Sequence, residues 1–512
     1  MLLVLKCAGS AIRIFVEVSY GLLALAALFY IYILTFPFLI FRKLVTRIVQ
    51  VYNKDVVQVV RDLSALFHRD FDSLEVKPLS SIVACLRMKG HSLSVTQFQE
   101  VFHERVILKK EKETNSSLAY PELQQYFTRF FGYSFLKWDR NFDIKNHVNV
   151  YTSGDRDQLI ITHEELIKIW EDLMIKPFRK DRSPWEIVIV DNYVNGGNND
   201  QLSADWIFFL RIHHGLADGF SFQKIICSFL DTTDYEPNFP ARRATKLQTL
   251  LMGLKCLIMG PYEFLNKSVR YAEPYHSLHY PFQDLSNEYF VVESDLFPVN
   301  AVKQIRSHFK VAFTTVLATM ICGGLRKFLL KNSKPFPEAF TISIPFATPE
   351  RSQNLGNEFY LAPVNVPLHL PKRKERLQDI QLQLKNISQS TFTIMFNRII
   401  GRLGMFPSKV FREITRKCIF STSYSTIPGP EKILKLKGFP GCEMIEANFA
   451  HGMASDSLGL GFSTITFNGN MRMTIFVEKN LVESREFAQQ IIECIMDEYL
   501  EMRQQSASSH DM

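Results

Sequence analysis

The residues of this chain best placed to do chemistry are His213 and His214, followed by Gly215, Leu216, Ala217, Asp218 and Gly219. A neutral imidazole titrates near physiological pH, so a histidine within hydrogen-bond reach of a hydroxyl can take its proton as a general base. Adjacent residues on an extended backbone point to opposite faces, so only one of the two histidines can face a given cavity. His214 is the expected base. Asp218 is expected to anchor the turn through an ion pair or backbone hydrogen bonds, and the glycines permit close backbone approach where a Cβ would block it. A bare His-x-x-x-Asp spacing more often marks a turn that only joins a strand to a helix.

The flanking residues say how these groups are positioned. Trp206 to Ile212 is a run rich in β-formers. Beyond the turn, Phe222, Ile225, Ile226 and Phe229 recur at the spacing of one helix face. A strand therefore delivers the histidines into a turn, and a helix leaves it.

The pattern from His213 to Ser221 resembles the HHxxxDGxS active-site motif of the CoA-dependent acyltransferase superfamily. Other segments, in the same order, resemble one branch of it, the wax ester synthase/diacylglycerol acyltransferase family. Pro177 to Glu186 is similar to the family's PLDRxRPLWE stretch, one residue shorter before Trp185. Ile342 to Phe346 followed by Asn354-Leu355-Gly356-Asn357 is similar to VPVSxR…LGN without its arginine. Ser425-Thr426-Ile427-Pro428-Gly429-Pro430 resembles SNVPGP with Thr426 for Asn, and Gly459 to Gly469 resembles a late glycine-bounded segment. The likeness runs from about 140 to 500. It departs at Thr314-Thr315, where the family carries Asn-Asp.

The resemblance implies an α/β fold of two chloramphenicol acetyltransferase-like domains, with mixed sheets around a central tunnel and the histidine turn at its middle. It implies direct acyl transfer with His214 as base, supported by His213, Asp218 and Gly219. Trp185, Asn357, Ser425, Thr426, Pro428 and Gly429 are the implied substrate-binding residues, and Ser425 and Thr426 are candidate oxyanion donors. Acyl-CoA is then a co-substrate, with no cofactor and no metal. The acceptor is a fatty alcohol or diacylglycerol, giving wax ester or triacylglycerol. A non-catalytic lipid-binding protein and a peptide-forming condensation domain share the same motif, but no carrier-protein module is evident for the latter.

From Val18 to Phe41 the chain is uncharged and long enough to cross about 30 Å of hydrocarbon. We read a transmembrane helix there. Arg42, Lys43, Arg47 and Lys54 follow it, which favours a cytosolic body in a membrane such as the endoplasmic reticulum or a lipid droplet. A second stretch, Lys246 to Pro261, mixes leucines with two lysines and suits either a bilayer surface or a domain junction.

A net charge of +7 over 512 residues, with no basic cluster interleaved with aromatics, excludes a nucleic-acid surface. The eight cysteines show no CxxC spacing, so neither a zinc site nor a disulfide framework is indicated. We divide the chain into an anchor (1–45), a first domain (46–235), a crossover (236–287), a second domain (288–500) and a disordered tail (501–512). Turn formers from Asp231 to Pro240 mark the crossover. Residues 46–135 fit the family core least well.

Overall fold

The computed structural model describes residues 2–60, 62–67, 77–111, 116–152, 160–194, 205–231, 245–281, 284–348, 354–415, 420, 422–452 and 459–508. In chain order the helices are α1 (Leu2–Tyr52), α2 (Asp62–Phe67), α3 (Val95–Phe102), α4 (His163–Ile175), α5 (Gly219–Leu230), α6 (Lys246–Ile258), α7 (Gly260–Tyr271), α8 (Val299–Phe309), α9 (Phe313–Lys331), α10 (Arg373–Ser388), α11 (Phe392–Leu403), α12 (Ser408–Ile414) and α13 (Arg485–Ser508). The strands are β1 (Val56–Val59), β2 (Ser81–Lys89), β3 (Gln125–Phe130), β4 (Tyr133–Trp138), β5 (Val148–Val150), β6 (Trp185–Tyr193), β7 (Asp205–His213), β8 (Tyr289–Glu293), β9 (Phe297–Pro298), β10 (Thr341–Ala347), β11 (Phe359–Asn365), β12 (Thr422–Ile427), β13 (Leu434–Lys435), β14 (Glu443–His451), β15 (Leu460–Phe467) and β16 (Asn470–Glu478).

Two mixed sheets carry the body. The first has the order β13-β14-β2-β7-β6-β5, the second the order β11-β10-β12-β15-β16-β8 with β9 beside β16, and a small sheet β1-β4-β3 stands apart. Every residue of β7 is buried, which is why its sequence is a continuous apolar run rather than an alternating one. One hydrophobic core joins α3 and α5 to the first sheet, and another joins α8, α9, α10 and α13 to the second. The Gly323-Gly324 pair lets α13 approach α9, since a Cβ on Gly324 would lie 2.6 Å from the Ile495 Cα. A helix as apolar as α9 could pass for a span, but it is mostly buried in this core; the Val18–Tyr52 stretch of α1 is long and apolar enough to cross a membrane and is mostly exposed.

The two sheets do not divide the chain into an early and a late half. β13 and β14, from the second half, complete the first sheet: β14 pairs antiparallel with β2 from Glu443↔Lys89 to His451↔Ile82. Strand β2, from the stretch that fits the family core least well, is central to that sheet, between β14 and β7. The tail is not disordered to its start, because α13 continues to Ser508 with Met502 and Ser506 buried. The crossover holds α6 and α7, whereas the turn formers at 232–240 lie outside the described residues.

Candidate active site

β7 ends at His213, opposite Ser81 of β2. The two histidines then part. His213 is 1% exposed, accepts a hydrogen bond from the Gly215 N–H (3.1 Å) on Nδ1, and lies edge-on to Phe127 and Phe178. His214 donates its backbone N–H to the Ser80 carbonyl (2.7 Å) and turns its ring the other way, flat against Phe67 with centroids 3.7 Å apart.

The tautomer of His214 follows from its neighbour. The Asn357 Nδ2 donates to the His214 carbonyl (2.7 Å) and to the Ser64 Oγ (3.0 Å). A carbonyl can only accept, so the amide nitrogen must face that way, and the Asn357 Oδ1 is the atom 2.8 Å from the His214 Nδ1. Nδ1 therefore carries the ring proton. Nε2 keeps its lone pair. Burial, reinforced by the nearby His451, holds the His214 pKa well below the usual imidazole range, which keeps the ring neutral.

Asp218 is the N-cap of α5. Its Oδ1 accepts from the Ser221 N–H (2.8 Å), its Oδ2 from the Glu358 N–H (3.1 Å), and its own N–H donates to the Gly356 carbonyl (3.0 Å). Gly219 opens the helix, and a Cβ there would sit 2.6 Å from the Ile427 Cδ1.

His214, Asp218 and Gly219 line a cavity of about 320 Å³ between the two sheets, within the size range of small-molecule sites. Its walls are apolar: Phe67, Phe264, Phe359, Phe396, Ile400 and Leu403 among others. Its polar groups are few, namely Ser343, Thr415, Ser423, Ser425, Thr426 and His451 beside the turn. A smaller apolar space of about 50 Å³ adjoins it, sharing Ile82, Gly219, Ile427 and Phe449 as walls.

Of the residues singled out in the sequence, His214, Asp218, Gly219, Ser425 and Thr426 meet at this cavity, and the others do not line it. Trp185 is buried in β6, stacked on His147 and donating its Nε1–H to the Leu123 carbonyl (2.8 Å). Asn357 bonds the ring and the carbonyl of His214 and does not line the cavity. The Pro428 carbonyl accepts from the Gln223 Nε2 (2.9 Å), and the Gly429 N–H donates to the Thr466 Oγ1 (2.9 Å), so this turn ties α5 and β15 together behind the wall. Thr315 is fully buried in α9 and donates to the Gln381 Oε1 (2.6 Å).

Sequence reasoning missed Phe67, Ser64 and His451. The last ends β14; its Nδ1 lies 3.2 Å from the Gly452 carbonyl, so it carries the proton, and its Nε2 lies 3.4 Å from the Ser423 Oγ. Its signal was available, a histidine followed by glycine at the end of a nine-residue strand. Outside the cavity, Glu273, His276 and His279 converge closely enough for a cation. The Leu278 N–H points at the His276 Nδ1 (3.2 Å), however, which places that ring's proton on Nε2, facing the Glu273 Oε1 at 3.3 Å. The contact is a donor on a carboxylate.

A neutral imidazole is thus set in the wall of an apolar cavity between two mixed sheets. The sequence models of the wax ester synthase/diacylglycerol acyltransferase catalytic domain and of the WS/DGAT C-terminal domain match residues 98–268 and 355–503. The chain belongs to this family, and it is an acyltransferase. No curated protein matches it in sequence. The fold is similar to the wax ester synthase/diacylglycerol acyltransferase from Marinobacter aquaeolei VT8 (TM-score 0.57, 12% identity, 88% of this chain and 100% of that one). It is similar to trichothecene 15-O-acetyltransferase from Fusarium sporotrichioides (0.56, 11%, 87% and 96%). A third is the starter condensation domain of rhizomide synthetase RzmA, solved in complex with C8-CoA (0.53, 12%, 87% and 94%).

Proposed function

We propose that this protein is a membrane-anchored, acyl-CoA-dependent O-acyltransferase that esterifies a lipid alcohol, either a fatty alcohol to wax ester or diacylglycerol to triacylglycerol. The observation that carries the reading is the lone pair of the His214 Nε2 beside an apolar cavity. Nε2 takes the proton of the acceptor hydroxyl as its oxygen attacks the thioester carbonyl. The tetrahedral oxyanion collapses, the carbon–sulfur bond breaks, and the leaving thiolate takes the proton back from the imidazolium. No acyl-enzyme is needed, since the thioester is already activated. Ser425 and Thr426 are the hydroxyls nearest in the sequence pattern to an oxyanion role, each such donor contributing a few kcal/mol. The apolar walls suit alkyl chains and keep out the water that would hydrolyse the thioester.

The direct test is to supply purified protein in detergent with palmitoyl-CoA and, in turn, hexadecanol, diacylglycerol and a sterol, following thiol release and ester formed. Ester from hexadecanol or diacylglycerol is expected. Well-folded protein that esterifies neither would sink the reading.

The pH dependence supplies a second test. With a depressed pKa, His214 stays neutral as pH falls through the ordinary imidazole value of 6.5, so kcat/KM is expected to hold there and to fall only at lower pH. Burial also holds the His451 pKa down, to about 4, and in that acid range its charge adds to burial in opposing protonation of His214. His451→Gln removes the charge and is expected to move the acid limb upward while leaving the neutral-pH plateau in place. A limb already at 6.5 in the parent would contradict the assigned base.

A further inference from the structure

We propose that α1 does not run across the bilayer but lies in the plane of one leaflet, and that α6 lies beside it as a second lipid-embedded helix. The proposal rests on the reading of α1 as a membrane anchor and says how that anchor sits. The body touches α1 at several points between Tyr20 and Val49. Near one end, Tyr20 stacks on Tyr262 of α7, and a Cβ on Gly21 would lie 2.6 Å from the Ile258 carbonyl at the end of α6. Further on, Arg402 lies over the Tyr32 ring (4.9 Å), Phe38 packs on Phe406, and the Arg42 Nη1 donates to the Gly404 carbonyl (3.0 Å). Val45 and Val49 then join a core with Tyr133 and Phe135.

Tyr20 to Val49 is about 43 Å of helix at 1.5 Å per residue, more than the ~30 Å of hydrocarbon a span would occupy. If α1 crossed the bilayer, the face of the body lying along it would cross too, carrying a guanidinium and the edge of an α/β core into hydrocarbon. That is costly. Lying in plane, α1 keeps its polar contacts at the body and turns the rest of its apolar surface to lipid.

α6 fits the same plane. Leu247, Leu250, Leu251, Leu254, Leu257 and Ile258 recur at helical spacing and are each 41–64% exposed, while the exposed Lys255 donates to the Gln389 carbonyl (2.6 Å). A helix facing water turns its apolar residues in, whereas α6 leaves this stripe of leucines uncovered by the body. The leucine stripe is continuous with the exposed surface of α1, since α6 ends where Gly21 meets Ile258. Behind the two helices, α7 and α11 supply Phe264, Phe396 and Leu403 to the cavity wall. A single helical layer thus separates the cavity from the leaflet, a short path for a lipid acceptor.

The test uses the full chain in sealed microsomes and in phosphatidylcholine/phosphatidylserine vesicles. Epitopes at both termini are expected to be digested by protease added outside. Leu254→Trp is expected to add fluorescence quenched by brominated lipids, and Leu330→Trp, at an equally exposed leucine on α9, fluorescence that is not. An N-terminal epitope protected until detergent is added would overturn the in-plane placement. An unquenched Leu254→Trp with cross-linked dimers would give the α6 face to a second copy of the chain and overturn the lipid assignment. Protein that does not sediment with vesicles at all would remove the anchor reading itself.

Discussion

His214→Ala is expected to lower kcat/KM by about 10²- to 10⁴-fold, the usual contribution of a positioned general base. The size of the effect follows from the geometry, because the His214 Nε2 has its proton acceptor role fixed by the bond from Nδ1 to Asn357. The neighbouring His451 points its own Nε2 at Ser423 instead. The substitution leaves the Asn357 Oδ1 without its donor, which costs about 1–3 kcal/mol if that atom stays buried and unpaired, so the variant should melt somewhat earlier yet fold. His213→Ala has the opposite profile: its ring is packed between two aromatics away from the cavity, so stability falls more than the rate of the folded fraction. Steady-state rates with hexadecanol, read beside thermal melts, separate the two. Full activity in a folded His214→Ala preparation would make the mechanism untenable.

The parts of the site visible from local pattern alone are those encoded within one strand, turn and helix, whereas Asn357, Ser425 and Thr426 were legible only through motifs that resemble the family's. The apolar run of β7 and the helical spacing after Gly219 are local, so the histidine turn could be placed from them alone. Groups that reach it from afar carry no such mark. Ser64 and Phe67 come from a six-residue helix in the stretch furthest from the family pattern, and Asn357 arrives from a loop 143 residues on. Trp185, Pro428 and Gly429 belong to motifs that resemble the family's, yet a motif does not say whether its residues face a cavity or stitch elements together behind it. The make-up of the sheets was hidden for a related reason: the pattern of β14 says strand, but not that its partner is β2, more than 350 residues earlier. Likewise the leucine spacing of α6 defines a stripe without saying which way it faces.

Asp218→Asn is expected to lose stability and activity together. Each carboxylate oxygen of Asp218 accepts from a different backbone N–H, that of Ser221 in the first turn of α5 and that of Glu358 beside Asn357. An amide keeps only one acceptor oxygen. Whichever way it turns, its NH₂ faces one of those two donors, in a site where Asp218 is 2% exposed. A lost cap costs about 0.5–2 kcal/mol, and a buried donor left unpaired costs about 1–3 kcal/mol. The second bond has a further consequence, since it holds the 356–358 loop that presents Asn357 to the imidazole. Loosening it releases the Nδ1 proton from its acceptor and with it the orientation of Nε2. Lost activity should therefore track lost folded protein and lost order in that loop, read as an earlier melt and faster hydrogen exchange at Glu358. The hydrolase-type alternative, in which an aspartate accepts the imidazole N–H directly, predicts a variant that melts like the parent while losing as much rate as His214→Ala. The bond from the His214 Nδ1 to Asn357 already occupies that position, which is why the anchoring role is the one expected here.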